Sequence, residues 1–217
     1  MTVIHKIGDT IIKKDKTGVY RFIIDEKKQY IFWKLFPWNK LDLITTKLID
    51  NKINILFKAD KVETLSQFAG RKENQLSYEE TLQLWKNIGR QLKSLEEEEK
   101  SIPFFLPKDI LVINGLSFFY INQEKVMPIK DKKLSITYPI KKNNFCSPEL
   151  CKIKSLPATI PYQAGIYSLA ALTTFVLTNN TNKDYPVALE SIWQTPLYWS
   201  LIRCLHKTPG DRVYLII

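Results

Sequence analysis

Ser77-Tyr78-Glu79-Glu80-Thr81-Leu82-Gln83-Leu84-Trp85-Lys86-Asn87-Ile88, followed further on by Ile110-Leu111-Val112-Ile113-Asn114-Gly115-Leu116-Ser117-Phe118-Phe119-Tyr120-Ile121, is the part of this sequence from which the fold is read. Ser77 and Glu80 have the spacing of a capping box, in which the hydroxyl accepts from the Glu80 amide and the carboxylate reaches back to the Ser77 amide. Leu82, Trp85, Ile88, Leu92 and Leu95 then recur on one helical face, opposite Gln83, Lys86, Arg90 and Lys93. A run of acids, Glu96 to Glu99, would oppose the macrodipole inside a helix and is expected to be a solvated end or turn. In the second stretch two apolar runs flank Asn114-Gly115, the dipeptide best suited to a hairpin turn whose central residues both need positive φ.

Working outward, Val19 to Ile24 and Gln29 to Phe36 are rich in β-branched and aromatic residues and predict two antiparallel strands around the polar Asp25 to Lys28. Leu41 to Ile49 carries weak helical spacing, and Ile53 to Phe57 is a short apolar run. From Gln123 to Asn144 the chain is lysine-rich and reads as an irregular, exposed segment. Tyr162 to Leu177 is apolar nearly all round, the pattern of a central helix, and Leu197, Leu201 and Leu205 form a stripe on a last helix. Strands, a long helix, a hairpin and then helices predict an α+β protein with a β-rich N-terminal part and a helical C-terminal part, the boundary falling near residues 58 to 75.

The 217 residues are 45% hydrophobic, 25% charged and 12% aromatic, which excludes a disordered chain and allows one large domain or two small lobes. Thirty-two Lys+Arg against 22 Asp+Glu give a net charge of +10, which suits an acidic partner. The lysines are spread along the chain, and no helix concentrates Arg with aromatics, so nucleic-acid binding is not expected. Cys146, Cys151 and Cys204 lack a Cys-x-x-Cys pair and form neither a disulfide framework nor a zinc ribbon. His5 and His206 have no nearby Cys or carboxylate constellation to make a metal site. The first ten residues have no apolar signal core, and the apolar run Ala164 to Leu177 is shorter than a bilayer span. A cytoplasmic protein without a membrane span is the expectation.

Several short motifs, in order along the chain, resemble those of a eukaryotic-type protein kinase domain. Phe145-Cys146-Ser147-Pro148-Glu149 resembles the Ala-Pro-Glu end of the activation segment. Ile166-Tyr167-Ser168-Leu169-Ala170 resembles the central-helix motif, and Arg203-Cys204-Leu205 with Pro209 and Arg212 resembles the closing motif. Ile102 to Leu111 aligns without a gap on the catalytic loop, matching at Pro107, Ile110 and Leu111. The resemblance implies a single bilobal domain over residues 1–217, with a reduced β-rich N-lobe at about 1–70 and a mainly helical C-lobe at about 71–217. It also implies a buried ion pair between Glu149 and Arg212. In its compactness and its Lys/Ile/Asn-rich composition the chain is similar to compact kinase-like proteins of large DNA viruses.

Departures from the family pattern concern the chemistry. Phe104 stands at the catalytic-base position and can neither accept nor orient a hydroxyl proton. Asp109 stands at the position of the loop asparagine, where it could touch a cation or simply cap the turn into Ile110. Asn122 replaces the main magnesium-binding carboxylate, and Mg²⁺ prefers hard anionic oxygens. Gly165 replaces the aspartate that braces the catalytic loop. Gly18-Val19-Tyr20 resembles the end of the glycine-rich loop, but Ile12, Lys14 and Thr17 sit where its glycines would be. Lys34 is the candidate phosphate-pairing lysine, with a solvent-reaching strand residue as its alternative reading. Phe104, Phe105, Phe118, Phe119 and Tyr120 are expected in the core.

The resulting expectation is a pseudokinase that acts as a scaffold or allosteric partner of an active kinase, or of an acidic or phosphorylated protein docked on Lys125 to Lys142. No cofactor is expected, ATP with Mg²⁺ entering only if Lys34, Asp109 and Asn122 still form a working cleft. The alternative is an atypical active Ser/Thr protein kinase with a relocated base. A third reading, from net charge alone, is a basic nucleic-acid-binding protein.

Overall fold

The computed structural model describes residues 1–25, 42–181, 184–215 and 217. The predicted strand Gln29 to Phe36, and Lys34 within it, lie outside the described residues. Strands β1 (Thr2–Ile7), β2 (Thr10–Lys14), β3 (Val19–Asp25), β4 (Asp42–Ile49) and β5 (Lys52–Lys58) form one antiparallel sheet in the order β1-β2-β3-β5-β4. Period-two alternation turns Tyr20, Phe22 and Ile24 inward, across from Phe57, Ile55 and Ile53 in the β3–β5 register.

The helical spacing of Leu41 to Ile49 is overturned, since Asp42–Ile49 is strand. The turn decides it. Asp50 and Asn51 both take positive φ, of 50° and 57°, and close a two-residue hairpin that sets Ile49 against Lys52. Asp and Asn tolerate that conformation better than other side chains, and the β-branched Ile44, Thr45, Thr46 and Ile49 suit the strand that follows from it.

Beyond the sheet, β6 (Val62–Thr64) leads into α1 (Leu65–Gly70), whose first turn is closed by a Thr64/Gln67 capping box. Helix α2 (Tyr78–Glu96) begins at the Ser77/Glu80 box and buries Leu84, Trp85, Ile88, Leu92 and Leu95. The hairpin of β8 (Ile110–Ile113) and β9 (Ser117–Tyr120) joins β6 in a three-stranded sheet. Asn114 and Gly115 have φ of 52° and 76°, as the turn requires, while Leu116 is a third loop residue and not the first of the strand. The Asn114 side chain also accepts from the amides of Asp60 and Lys61, pinning the turn to the chain entering β6.

The expectation of an irregular, exposed run from Gln123 to Asn144 is corrected. Met127–Pro128 (β10) pairs with Lys100–Ser101 (β7), and Lys133–Ile136 (β11) pairs with Ala158–Pro161 (β12). Leu134 and Ile136 point inward and join Phe104, Cys146, Leu150 and Ile160 in a second core cluster. Pro148–Cys151 forms the short helix α3. Helix α4 (Ala164–Thr178) is the central element, with every residue but Phe175 and Thr178 buried. It packs against α2 and against the last long helix, which follows the short turn α5 (Tyr185–Ala188). That last helix, α6 (Pro196–Cys204), buries Leu197 and Leu201, and Leu205 continues the stripe. The chain is thus a mixed α+β protein. No helix among the described residues is long and apolar enough to cross a membrane.

Candidate functional site

The loop from Ser101 to Asp109 is held down on α4. Gly165 lies so close to it that a Cβ there would stand 2.2 Å from the Ile102 carbonyl oxygen. One helical turn later Ser168 Oγ accepts from the Phe105 amide at 2.8 Å, with both groups buried. The loop is therefore braced without an aspartate: a missing side chain permits backbone approach, and a hydroxyl supplies the hydrogen bond. Phe104 and Phe105 are buried, as are Phe118, Phe119 and Tyr120 on β9, and Phe105 meets Tyr120 edge to face.

The single-turn helix Pro107–Asp109 delivers Asp109 to the end of this loop, 1% exposed. A backbone bond from the Ile121 amide to the Asp109 carbonyl brings the chain after β9 alongside it. Two side chains from that strand exit converge on the carboxylate. Asn122 Nδ2 donates to Asp109 Oδ1 at 2.9 Å, and the Lys125 ammonium forms an ion pair with Asp109 Oδ2. Lys125 is itself largely buried, and its Nζ lies 4.4 Å from the centre of the Phe104 ring, over its face. Asp109 and Phe104 of the loop and Asn122 of the strand exit are thus linked through Asp109 and a fourth residue, Lys125.

Asp109 and Asn122 line a cavity of about 370 Å³ whose other walls include His5, Gly8, Thr64 and Lys108. Burial lowers the affinity of the His5 imidazole for a proton. The turn over Asn122 is the one between β1 and β2. Gly8 has φ of 55°, and a Cβ on it would come within 2.9 Å of Asn122 Oδ1. Gly18 lies in the β2–β3 turn, with nothing within 4 Å of a Cβ built on it, and Ile12 and Lys14 are β2 residues.

Chemically, the cluster presents one carboxylate, one neutral amide and one ammonium. Asn122 Oδ1 is buried without a hydrogen-bond partner among the described residues. Mg²⁺ seeks several hard anionic oxygens; of the two carboxylates that line this cavity, Asp109 is already paired with Lys125, and Glu124 stands beside the Gly8 turn. Lys125 therefore competes with any cation for Asp109. Among all the described residues, no three His, Cys, Asp or Glu side chains converge as metal ligands.

On the opposite side of α4, Glu149 and Arg212 meet as a two-pronged pair, with Nη2 to Oε2 at 3.0 Å and Nη1 to Oε1 at 2.5 Å. The remaining guanidinium N–H groups donate to the carbonyls of His206, Lys207 and Gln163, so the side chain, 0% exposed, leaves no donor unused. Breaking such a buried pair costs about 3–5 kcal/mol, because the remaining charge is stranded. Of the Lys125 to Lys142 segment, Lys130, Lys132, Lys133, Lys141 and Lys142 are exposed, whereas Lys125 turns inward to Asp109.

Residue patterns did not point to Lys125, Ser168 or Gly8 as parts of this site. Lys125 looks like one lysine among many in a polar stretch, and its role depends on where the strand exit places it. Comparison with models of known protein families and with curated proteins finds no match to this chain.

Proposed function

We propose that this chain is a bilobal, kinase-like domain that has given up phosphoryl transfer and works by binding a protein partner. The observation that supports the reading is the Lys125 ammonium, paired with Asp109 and lying over the ring of Phe104. In the resemblance set out above, those two positions belong to a cation-binding residue and to the catalytic base. Here a tethered ammonium neutralises the carboxylate, and an aromatic ring fills the place of the base. Phosphoryl transfer relies on mobile metal charge between the phosphates and on a group that orients the hydroxyl. A lysine on a short tether can neutralise a carboxylate without doing either.

An active kinase would need a carboxylate free to act beside Phe104. Asp109, the carboxylate bonded within this cluster, is occupied by Lys125 and Asn122. The three cysteines are free thiols, which fits a reducing compartment such as the cytoplasm. The partner surface is the exposed lysine-rich segment that follows the site, and the partner is acidic.

The test is the thermal midpoint of the purified chain with excess ATP, with and without Mg²⁺. A ligand at about 100 times its dissociation constant adds about 2.7 kcal/mol, which for a chain of this size is a shift of about 5–11 °C. The expected result is no Mg²⁺-dependent shift. A shift that requires Mg²⁺ and disappears in Lys34→Ala would overturn the proposal and make a phosphotransfer assay the next step.

A further inference from the structure

Beside the second core cluster lies a pocket of about 310 Å³, set between the chain leaving β11 and the turn that follows α3. Its floor is aliphatic: Ile136 and Leu150 are buried, and Ile140 and Ile153 are partly so. Its mouth is formed by Tyr138 and Leu156, 36% and 39% exposed, and by the exposed Lys142 and Lys154. Lys142 Nζ reaches across to the Ile153 carbonyl at 3.4 Å, a weak surface contact that a better acceptor would displace.

The charge around this mouth is one-sided. From Lys130 to Leu156 the sequence has seven lysines against two carboxylates, Asp131 and Glu149, and Glu149 is engaged by Arg212. An apolar pocket with two ammonium groups, Lys142 and Lys154, at its mouth is complementary to an apolar side chain flanked by carboxylates. We infer that this pocket docks an acidic peptide segment of a partner protein, inserting one or two large apolar side chains between Tyr138 and Leu156 while its carboxylates pair with Lys142 and Lys154.

Shape and chemistry select this occupant over others. The apolar surface is recessed, so a bilayer, which takes up protruding apolar groups, could not reach the floor. Nucleic-acid bases stack on flat aromatic or guanidinium faces, whereas this floor is built from Ile and Leu. Apolar burial in the pocket supplies affinity, and the lysine ring selects the partner and speeds its encounter. This rests on the reading of the chain as a binding domain and names the partner class for it.

The test is fluorescence anisotropy of the full chain with a library of labelled decapeptides, Asp/Glu-rich in their flanks and varied at the two central positions. The expected result is saturable binding of members with Leu, Phe or Trp at the centre. Replacing those centres with Ala-Ala should weaken binding about tenfold or more. Lys142→Glu combined with Lys154→Glu should weaken it comparably, and Leu156→Ser should do so without any charge change. All three substitutions are at exposed positions, and an unaltered thermal midpoint verifies that each variant folds. Equal affinity for Ala-Ala centres would overturn the inference by reducing it to charge attraction, as would binding of no library member. Tighter association with phosphatidylserine vesicles than with any peptide, or self-association abolished by the lysine reversals, would overturn it in favour of a membrane or a second copy. The two proposals fail separately: a Mg²⁺–ATP shift removes the pseudokinase reading and leaves peptide capture standing, whereas an indifferent library does the reverse.

Discussion

Replacing Lys125 with Met tests the account of the site most directly. Met keeps most of the side-chain volume over Phe104 but removes the ammonium, leaving the Asp109 carboxylate 1% exposed with, among the described residues, only Asn122 donating to it from a side chain. Taking one partner from a buried ion pair costs about 3–5 kcal/mol, whereas replacing both by neutral groups of similar shape is often close to neutral. At about 2–4 °C per kcal/mol for a chain of this length, Lys125→Met should lower the thermal midpoint by about 6–20 °C. Asp109→Asn combined with Lys125→Met should recover most of the loss, giving a strongly non-additive double-mutant cycle. The single variant has a carboxylate without its counter-charge, so millimolar Mg²⁺ should stabilise it while leaving the parent chain unmoved. Scanning calorimetry of the four proteins, with and without Mg²⁺, reads all of these quantities. A harmless Lys125→Met, or additive single substitutions, would show that the ammonium does not neutralise Asp109 and would remove the basis of the proposed function.

Two further outcomes follow from the packing around the loop and the second helix. Gly165→Ala places a methyl 2.2 Å from the Ile102 carbonyl oxygen, a backbone atom, whereas Gly70→Ala at the end of α1 meets nothing within 4 Å. Overpacking of about 1–3 kcal/mol or more outweighs the helix-propensity gain of about 1 kcal/mol at the first site, and at the second only the gain remains. Urea denaturation should rank Gly70→Ala above the parent and Gly165→Ala below it, and the reverse order would refute the close approach of the loop. For Glu96, burial raises the carboxyl from its ordinary 4.5 to about 7, with Lys93 only partly opposing the shift. The folded state therefore favours the protonated form. The Glu96 contribution to stability is full below about 4.5, falls as pH rises through that window, and is lost above about 7. Glu96→Gln should be more stable than the parent at pH 8 and lose that advantage near pH 4; an unchanged pH profile would mean that Glu96 is solvated.

The elements readable from sequence were those whose cause is local. The capping box at Ser77 and Glu80, the apolar face of α2, the Asn114-Gly115 turn and the all-apolar α4 each owe their form to residues within one or two turns of one another. The expected pairing of Glu149 with Arg212 was also reached, through motif resemblance and not through any local pattern. Where the reading went wrong, the deciding contact lay elsewhere. Leu41 to Ile49 is ambiguous by spacing and becomes strand because the turn at Asp50 and Asn51 lays it against β5. Lys133 to Ile136 looks like solvated lysine-rich chain and becomes strand because Ala158 to Pro161 arrives beside it. Glu96 reads as the start of a solvated acidic run and is instead largely covered, facing a cavity shared with Tyr162, Arg212 and Tyr214.

The candidate site divides in the same way. Sequence by itself determined its ingredients: Phe104, Asp109, Asn122 and Gly165 at fixed spacings, and an excess of lysine. It could not single out one of those lysines, because a lysine in a polar stretch has the same local signature whether its ammonium is hydrated or buried. Tertiary structure decided that Lys125 reaches Asp109, that Ser168 braces the loop, and that Lys142 and Lys154 ring an apolar pocket. The physical reason is that helix caps and tight turns are stabilised within a few residues, whereas charge pairing and pocket formation depend on desolvation, and only the folded chain determines which groups lose their water.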